Sequence, residues 1–380
     1  HAGWLIAWGF LAVSLGLYTY YASNLIPFVL GPYMVLQLAW DRRFLREQWP
    51  GLLMFLAVSL LVFAPLGHFA LVHPERFFTR NSQVLIFNHV PPEQHLGAFW
   101  NNVRLTLLMF NFFGDCNGRH NLPEAPLLDP ITGVCFGLGL VWVLTHPHRR
   151  HAFLTGWWFL VALVPGFLTI EAPQAYRCIG AVIPVALLAA FGLEHLWQWL
   201  AGLTRGTRLR PWLGLVFVPV LAAAALMNHR TYFEDQAEHA ASWSEFSCRE
   251  FAIGNRLHEL GPEAHAYISA GSFNYPTIRY LGHPYLESEP FQVITSIPSR
   301  YTGERDLVYM LLPIHDGALE LLRYYYPEGQ ERRVPSPYDF TLYTEYYVTH
   351  EHMLARRGLT GRYRGPAGRT WTQRDGETVL

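Results

Sequence analysis

Up to residue 228 the sequence is dominated by long uncharged apolar runs, and beyond it the pattern breaks into short segments that alternate helix and strand signals. Seven runs stand out, at 3–20, 25–40, 51–71, 130–146, 152–170, 178–193 and 211–228. A helix that crosses a bilayer needs roughly 20 apolar residues, with about 17–25 the usual range. The second run is short and carries Pro27 and Pro32, which suits a kinked or tilted helix, and the sixth gains length past Glu194 from Leu196 to Leu200. Buried helices of a large soluble protein are the plain alternative, but seven such runs in the first 229 residues favour a membrane bundle. The pattern therefore predicts a mostly α-helical, polytopic bundle of about seven spans over 1–228. A small α/β domain follows over 229–355, and 356–380 opens a further segment.

Arginine placement orients the bundle. Arg42, Arg43 and Arg46 follow the second run, Arg149 and Arg150 follow the fourth, and Arg205, Arg208 and Arg210 follow the sixth. These loops alternate correctly and should be cytoplasmic by the positive-inside rule. The 18–27 turn, the 72–129 segment, the 171–177 loop and the tail from 229 then lie outside. Residues 95–113 resemble an eighth span, but Arg104 at its centre would cost about 2.5–3.5 kcal/mol in a bilayer. Asn101, Arg104 and Asn111 recur at helical spacing opposite Phe99, Val103, Phe110 and Phe113, so an amphipathic interfacial helix is predicted. In the tail, helices are predicted at 236–260, 275–281 and 316–326. Strands are predicted at 265–270, 291–295, 306–312 and 338–347.

Composition sharpens this division. Hydrophobic residues make up 51% and charged residues 15%, against roughly 25% charged in an ordinary soluble domain. Residues 1–229 carry 13 Arg and 9 acids, while 230–380 carry 15 Arg and 20 acids. There is no lysine, which removes Schiff-base chemistry and the P-loop lysine. A net charge of −1 without a basic block argues against a nucleic-acid partner. Cys116, Cys135, Cys178 and Cys248 form no CxxC and no disulfide framework, although Cys116 and Cys248 could pair if both face outside. The chain opens at His1 on an apolar stretch without a basic n-region or cleavage site. A longer protein upstream is expected, and a signal peptide is not.

Candidate chemistry concentrates in the outer loops. Glu75, Arg76, Arg80, Asn81 and Gln83 follow the third run; they read either as a headgroup or phosphate site or as interfacial anchoring. The 114–130 stretch packs Asp115, Asn117, Arg119, His120 and Asn121 into a few residues. That density suits recognition of a polyol, though a cluster of Asx-turns would produce it too. In the short 171–177 loop, Glu171 and Arg177 could pair with each other, or Arg177 could meet a lipid phosphate. The His-rich run 146–151 reads as a solvated cytoplasmic turn, and no metal site or cofactor is expected. The span centres carry no charge, which argues against an ion pump or proton-coupled transporter.

Four stretches, GLYTYYASNLIPFVL (16–30), HPERFFTRNSQVLIFN (73–88), GDCNGRHNLPEAPLLDPITG (114–133) and EAPQAYRCIGAVIP (171–184), resemble bacterial membrane glycosyltransferases of the GT-C type. The likeness is to family 39, the protein-mannosyltransferase and aminoarabinose-transferase-like group. It covers most of the membrane half and departs at Asn24, where an Arg would be expected. The resemblance implies a sugar transferred from a polyprenyl-phosphate donor to an acceptor on the outer face of the cell membrane. It also implies a catalytic Asp or Glu in a first outer loop, a position expected upstream of His1, so the general base is not assigned here. It casts Asp115, Asn117, Arg119, His120, Asn121 and Glu75 as substrate contacts, and Arg76, Arg80 and Arg177 as lipid-phosphate contacts. A non-catalytic scaffold with an outer partner-binding domain, or a polysaccharide polymerase or flippase component, are the rival readings.

Overall fold

The computed structural model describes residues 15–16, 18, 21–204, 212–282, 288–301 and 303–355, and three short strands within 362–379. The chain divides into two compact units, 1–242 and 243–380.

The first unit is helical. Helix α1 spans Ile26–Trp40 and α2 spans Arg42–Val72, where Asp41 caps the start by accepting from the Arg43 N–H at 3.1 Å. Two short turns, Pro74–Phe77 and Thr79–Val84, lead to α3, His95–Leu108. Then come α4 (Pro130–Thr145), α5 (Arg150–Leu168), a 3-10 turn (Ala175–Ala181) running into α6 (Val182–Leu203), and α7 (Leu213–Arg230). Among the described residues, four helical stretches are long and apolar enough to cross a membrane: Arg46–Val72, Arg150–Leu168, Ala175–Leu203 and Gly214–Gln236. Six of the seven predicted runs are helical, and most of the first, 3–20, lies outside the described residues. Helices α1 and α4 hold 15 and 16 residues. At 1.5 Å per residue they reach roughly 22–24 Å, short of a hydrocarbon core of about 30 Å. Leu61 and Leu71 of α2 are 75% and 84% exposed within this chain. A continuous apolar surface of that kind calls for lipid around it.

The predicted interfacial helix ends early, at Leu108. Asn101 and Arg104 lie on its exposed side and bond to each other at 3.1 Å. Phe99, Val103 and Phe110 pack into the core, whereas Phe113, beyond the helix end, is exposed. Asn102 is buried and donates to the carbonyls of Phe167 (3.3 Å) and Thr169 (2.7 Å). Carbonyls at a helix C-terminus lack intrahelical donors, and this amide fills that need at the end of α5.

Helices α4 and α6 meet through backbone. A Cβ on Gly139 would lie 1.8 Å from the Leu188 carbonyl oxygen, and one on Gly192 would lie 1.8 Å from that of Cys135. Small residues at a crossing let two helices approach in this way. Around the crossing, Phe110, Phe136, Phe159, Leu163 and Phe167 fill the core.

The second unit is an α/β sandwich. Strands β1 (Ala264–Ser269), β2 (Ser288–Phe291), β3 (Asp306–Leu311), β4 (Gln330–Pro335) and β5 (Thr341–Val348) form one sheet in the order β2-β1-β3-β5-β4. β1 pairs parallel with β2 and β3, while β5 runs antiparallel to β3 and β4. Helices α8 (Cys248–Leu260) and α9 (Pro276–Gly282) cover one face; Ile253, Leu257 and Ile278 meet Ala266, Ile268 and Val308 there. Helix α10 (Leu319–Tyr325) covers the other, against Tyr267, Tyr309 and Tyr346. The predicted helix 236–260 is interrupted at Ser247, whose φ of 62° is left-handed. The predicted strand at 291–295 falls instead at 288–291, and β4 was not predicted. Its sequence, QERRVP, is polar because it lies at the sheet edge. The three further strands, 362–364, 370–374 and 377–379, make a small antiparallel sheet.

The helix crossing yields a direct test. Gly139→Leu or Gly192→Leu should lower the melting temperature of the detergent-purified protein by many degrees or abolish folding. Gly137→Ala, with nothing within 4 Å of the added methyl, should leave it unchanged.

Candidate functional site

The site begins where the chain leaves the core after Phe110. Gly114 is required there, because a Cβ would lie 1.8 Å from the Ala125 carbonyl oxygen. The 114–129 loop doubles back on itself, with Gly114 N–H bonded to Glu124 O at 3.2 Å and Glu124 N–H to Asp115 O at 3.3 Å. Asp115 Oδ1 accepts from the Asn117 N–H (2.8 Å), and Asn117 Oδ1 accepts from the Arg119 N–H (2.9 Å). The Asn121 amide donates to Ala125 O at 2.6 Å. Two successive Asx-turns thus shape this loop, as the plain reading of its composition allows.

The other oxygen of Asp115 does more. Oδ2 accepts from the Ala175 N–H at 2.8 Å and from His120 Nδ1 at 3.1 Å. Asp115 is 2% exposed, so its carboxylate ties the 114–121 loop to the start of the 175–181 turn and does not face solvent. A carboxylate only accepts hydrogen bonds, so His120 carries its proton on Nδ1 and, when neutral, a lone pair on Nε2. The Tyr176 ring stacks on the imidazole at 5.2 Å between centroids.

The 171–177 loop is held from both sides. Ile170 N–H bonds to Val84 O at 2.9 Å. Arg177 donates to Ile170 O and pairs with Glu171 at 3.3 Å, and Gln174 also donates to Glu171 at 2.8 Å. Glu171 has a left-handed φ of 64°. The expected Glu171–Arg177 pair is therefore present, with the Arg177 side chain 11% exposed. Arg80 lies within electrostatic reach of Arg177 and is exposed on its short helix. Glu75 and Arg76 are exposed on the preceding turn, with His73 3.8 Å from Glu75.

Two grooves flank His120. One, of about 540 Å³, is apolar and runs between Met109, Phe110, Leu127 and Leu128 on one side and Tyr176, Ile179, Val182 and Val185 on the other. The second, of about 480 Å³, is more polar and is lined by Asn111, Asn121, Asp129, Asn228, Thr231, Tyr232 and Gln236 among others. His120, Leu127 and Leu128 line both. Of the sequence-predicted residues, His120 lines both grooves and Asn121 lines the polar one. Glu75, Arg76, Arg80, Asp115, Asn117, Arg119 and Arg177 line neither.

Asp129 caps α4 by accepting from the Ile131 and Thr132 N–H groups at 3.0 Å, and Asn228 donates to its Oδ2 at 2.8 Å. Burial alone would raise this carboxyl; hydrogen bonds from Thr132, Asn228 and Ile131 outweigh it and hold Asp129 below its ordinary value. Sequence reasoning missed Tyr176, Asp129, Asn228 and Tyr232. For Tyr176 the available signal was an interfacial aromatic next to Arg177.

Elsewhere the chemistry is structural. Ser269 Oγ bonds His315 Nδ1 at 2.8 Å and accepts from the Leu312 N–H at 2.9 Å, at the carboxyl ends of β1 and β3. Ligands favour that place in α/β sheets, but Ser269 is fully buried and joins the two strand ends. All four cysteines are free thiols. Among the described residues no group of three or more His, Cys, Asp or Glu is arranged to hold a metal ion.

No protein-family model, curated protein or solved structure matches this chain. The resemblance to family-39 glycosyltransferases rests on the four sequence stretches alone.

Asp115→Ala should strand the Ala175 and Asn117 N–H groups and free His120. Unpaired buried donors cost about 1–3 kcal/mol each. Amide hydrogen exchange at 114–121 and 175–178 should accelerate together in this variant, whereas acceleration confined to 114–121 would show that the carboxylate does not couple the loops.

Proposed function

We propose that this chain is a membrane glycosyltransferase that moves a sugar from a polyprenyl-phosphate donor to an acceptor hydroxyl on the outer face of the membrane. The observation that carries the reading is the apolar groove ending at a histidine that a buried carboxylate holds in place. Its volume falls within the range of about 300–1,000 Å³ typical of ligand sites. A polyprenyl phosphate requires an apolar path for its tail, and cations and hydroxyl-reading groups at its head. Arg80 offers an exposed guanidinium, and Arg177, buried beside it, adds positive potential while holding the loop. In the reaction the acceptor oxygen bonds to the anomeric carbon, the bond from that carbon to the phosphate oxygen breaks, and polyprenyl phosphate leaves with the electron pair. In this reading the bundle has seven spans, the loops 72–129 and 171–177 lie outside, and so does the C-terminal unit.

The orientation is checked in a variant without native cysteines. Arg150→Cys should be protected from a membrane-impermeant thiol reagent in intact cells, and Asp235→Cys should be labelled. The opposite pattern would place the grooves on the cytoplasmic side and overturn the outer-face reading.

The donor is checked by photo-crosslinking a benzophenone-tagged polyprenyl phosphate to the full-length protein in membranes. Val182→Trp and Ala186→Trp, at exposed positions on the groove wall, should reduce capture about tenfold. Arg80→Ala should weaken binding by about 10-fold or more, the equivalent of one charge-assisted contact. Arg80→Lys should restore it partly, since a lysine lacks the bidentate fork. Capture unchanged in all these variants would leave the scaffold reading.

A further inference from the structure

We infer that the polar groove beside His120 is a subsite for a hydroxyl-rich ligand, a polyol or glycan acceptor, and that His120 Nε2 receives the proton of the hydroxyl bound there. The inference rests on the transferase reading for its chemistry and on the groove's own hydrogen bonds for its ligand.

Four amides line this groove, and the donor side of each is committed. Asn111 donates to Gly133 O at 3.0 Å, Asn121 to Ala125 O at 2.6 Å and Gln236 to Gly118 O at 3.0 Å. Asn228 donates to both Asp129 Oδ2 and Ala224 O at 2.8 Å. Each amide faces an oxygen, so the atom making the contact is its NH₂ group and the atom left over is its carbonyl oxygen. Among the described residues none of these four side-chain oxygens has a protein donor. With Asp129 ionised and the Tyr232 and Thr231 hydroxyls alongside, the wall is rich in acceptors and slightly negative. A phosphate or carboxylate finds no charged donor here, whereas a ligand with many O–H groups satisfies the wall. The groove is thus the chemical opposite of a lipid-phosphate site.

His120 lies where the two grooves meet. As the acceptor oxygen bonds to the anomeric carbon, its proton passes to Nε2, the role that the resemblance gives to an upstream carboxylate, and polyprenyl phosphate leaves with the electron pair, its tail toward the apolar side. The imidazolium is stabilised by Asp115 through Nδ1–H and returns the proton to water afterwards. Asp115 is a positioning residue in this scheme.

The test uses the full-length protein in lipid nanodiscs and saturation-transfer NMR with methyl hexopyranosides and myo-inositol as probes. Wild type should saturate the hydroxyl-bearing probes. Ala125→Trp, which fills only the polar groove, should abolish the signal, and Tyr232→Phe, an exposed loss of one hydroxyl, should reduce it about threefold. Ala186→Trp, which fills only the apolar groove, should leave probe saturation intact while blocking polyprenyl-phosphate capture. In transfer assays His120→Gln should lower kcat by about 100-fold or more, the usual worth of a positioned proton acceptor. Lipid capture with no probe saturation would overturn the inference and leave the transferase reading standing. Probe saturation with no lipid capture would support the subsite and remove the transferase reading. Saturation insensitive to both Ala125→Trp and Tyr232→Phe, or displaced by calcium or inorganic phosphate at lower concentration than by inositol, would overturn the inference.

Discussion

A carboxylate taken out of water must find donors, and the way Asp115 finds them governs how the 114–121 loop meets the start of α6. Burying an unpaired carboxylate is prohibitively costly, so the group either neutralises or recruits donors. Asp115 recruits three: one backbone N–H two residues ahead, one sixty residues ahead, and an imidazole. The first gives the loop its turn. The second brings the 175–181 turn against the 114–121 loop. The third fixes the tautomer and orientation of His120. Since α6 continues directly from the 175–181 turn, the same contact sets one wall of the apolar groove.

The rest of that wall has a different origin. Helix α6 approaches α4 at van der Waals distance of backbone because Gly139 and Gly192 carry no side chain at the crossing. In lipid there is little hydrophobic drive between helices, so close packing supplies the association. The Asp115 network sits at the N-terminal end of α6 and the glycine crossing at its middle. Together they hold a 22-residue helix whose remaining face is exposed, with Val182 64% and Ile183 55% accessible. A helix held in this way can offer an apolar groove without its side chains collapsing into it.

The helices were legible because an apolar run longer than about 17 residues has few other outcomes. Their lengths were less so: Pro130–Thr145 is shortened by the Asp129-Pro130 start and the His146 stop, and both signals are local. In the second unit, β1 and β3 were legible as apolar strands, while β4 hid because an edge strand with alternating charges looks like a loop. The polar density at 114–121 singled out a loop that the structure places beside the two grooves, yet the roles of its members were not legible. Asp115 looked like a sugar contact and proves to be buried; Asn117 looked like a hydroxyl reader and turns its side-chain oxygen to the Arg119 N–H, while Asn121 commits its NH₂ group to Ala125 O and keeps its oxygen. Asn117 and Asn121 pair locally, two and four residues away, but what decides the role of Asp115 is a pairing across sixty residues, which no local pattern encodes. Tyr232 and Asn228 were missed for the same reason, since they reach the groove from the end of α7.

Under the proposed transferase reading, one apolar and one polar groove at a single imidazole would meet what a membrane interface asks of a transfer site. A lipid-linked donor arrives from the hydrocarbon side and a hydroxylic acceptor from the water side, so the reacting atoms meet only where the two environments share a wall. Leu127 and Leu128 are that wall, and His120 lies at its edge. In the proposed scheme an imidazole would stand beside the donor phosphate, and the buried Asp115 behind it would supply a negative charge once the proton has moved. In that proposal the charge would act from Asp115, behind the ring it orients, while Arg80 and Arg177 lie outside both groove linings. The separation of these cations from the acceptor-rich groove would keep phosphate and hydroxyl on different sides of the histidine, so that a proton moving from one side would accompany a leaving group departing to the other.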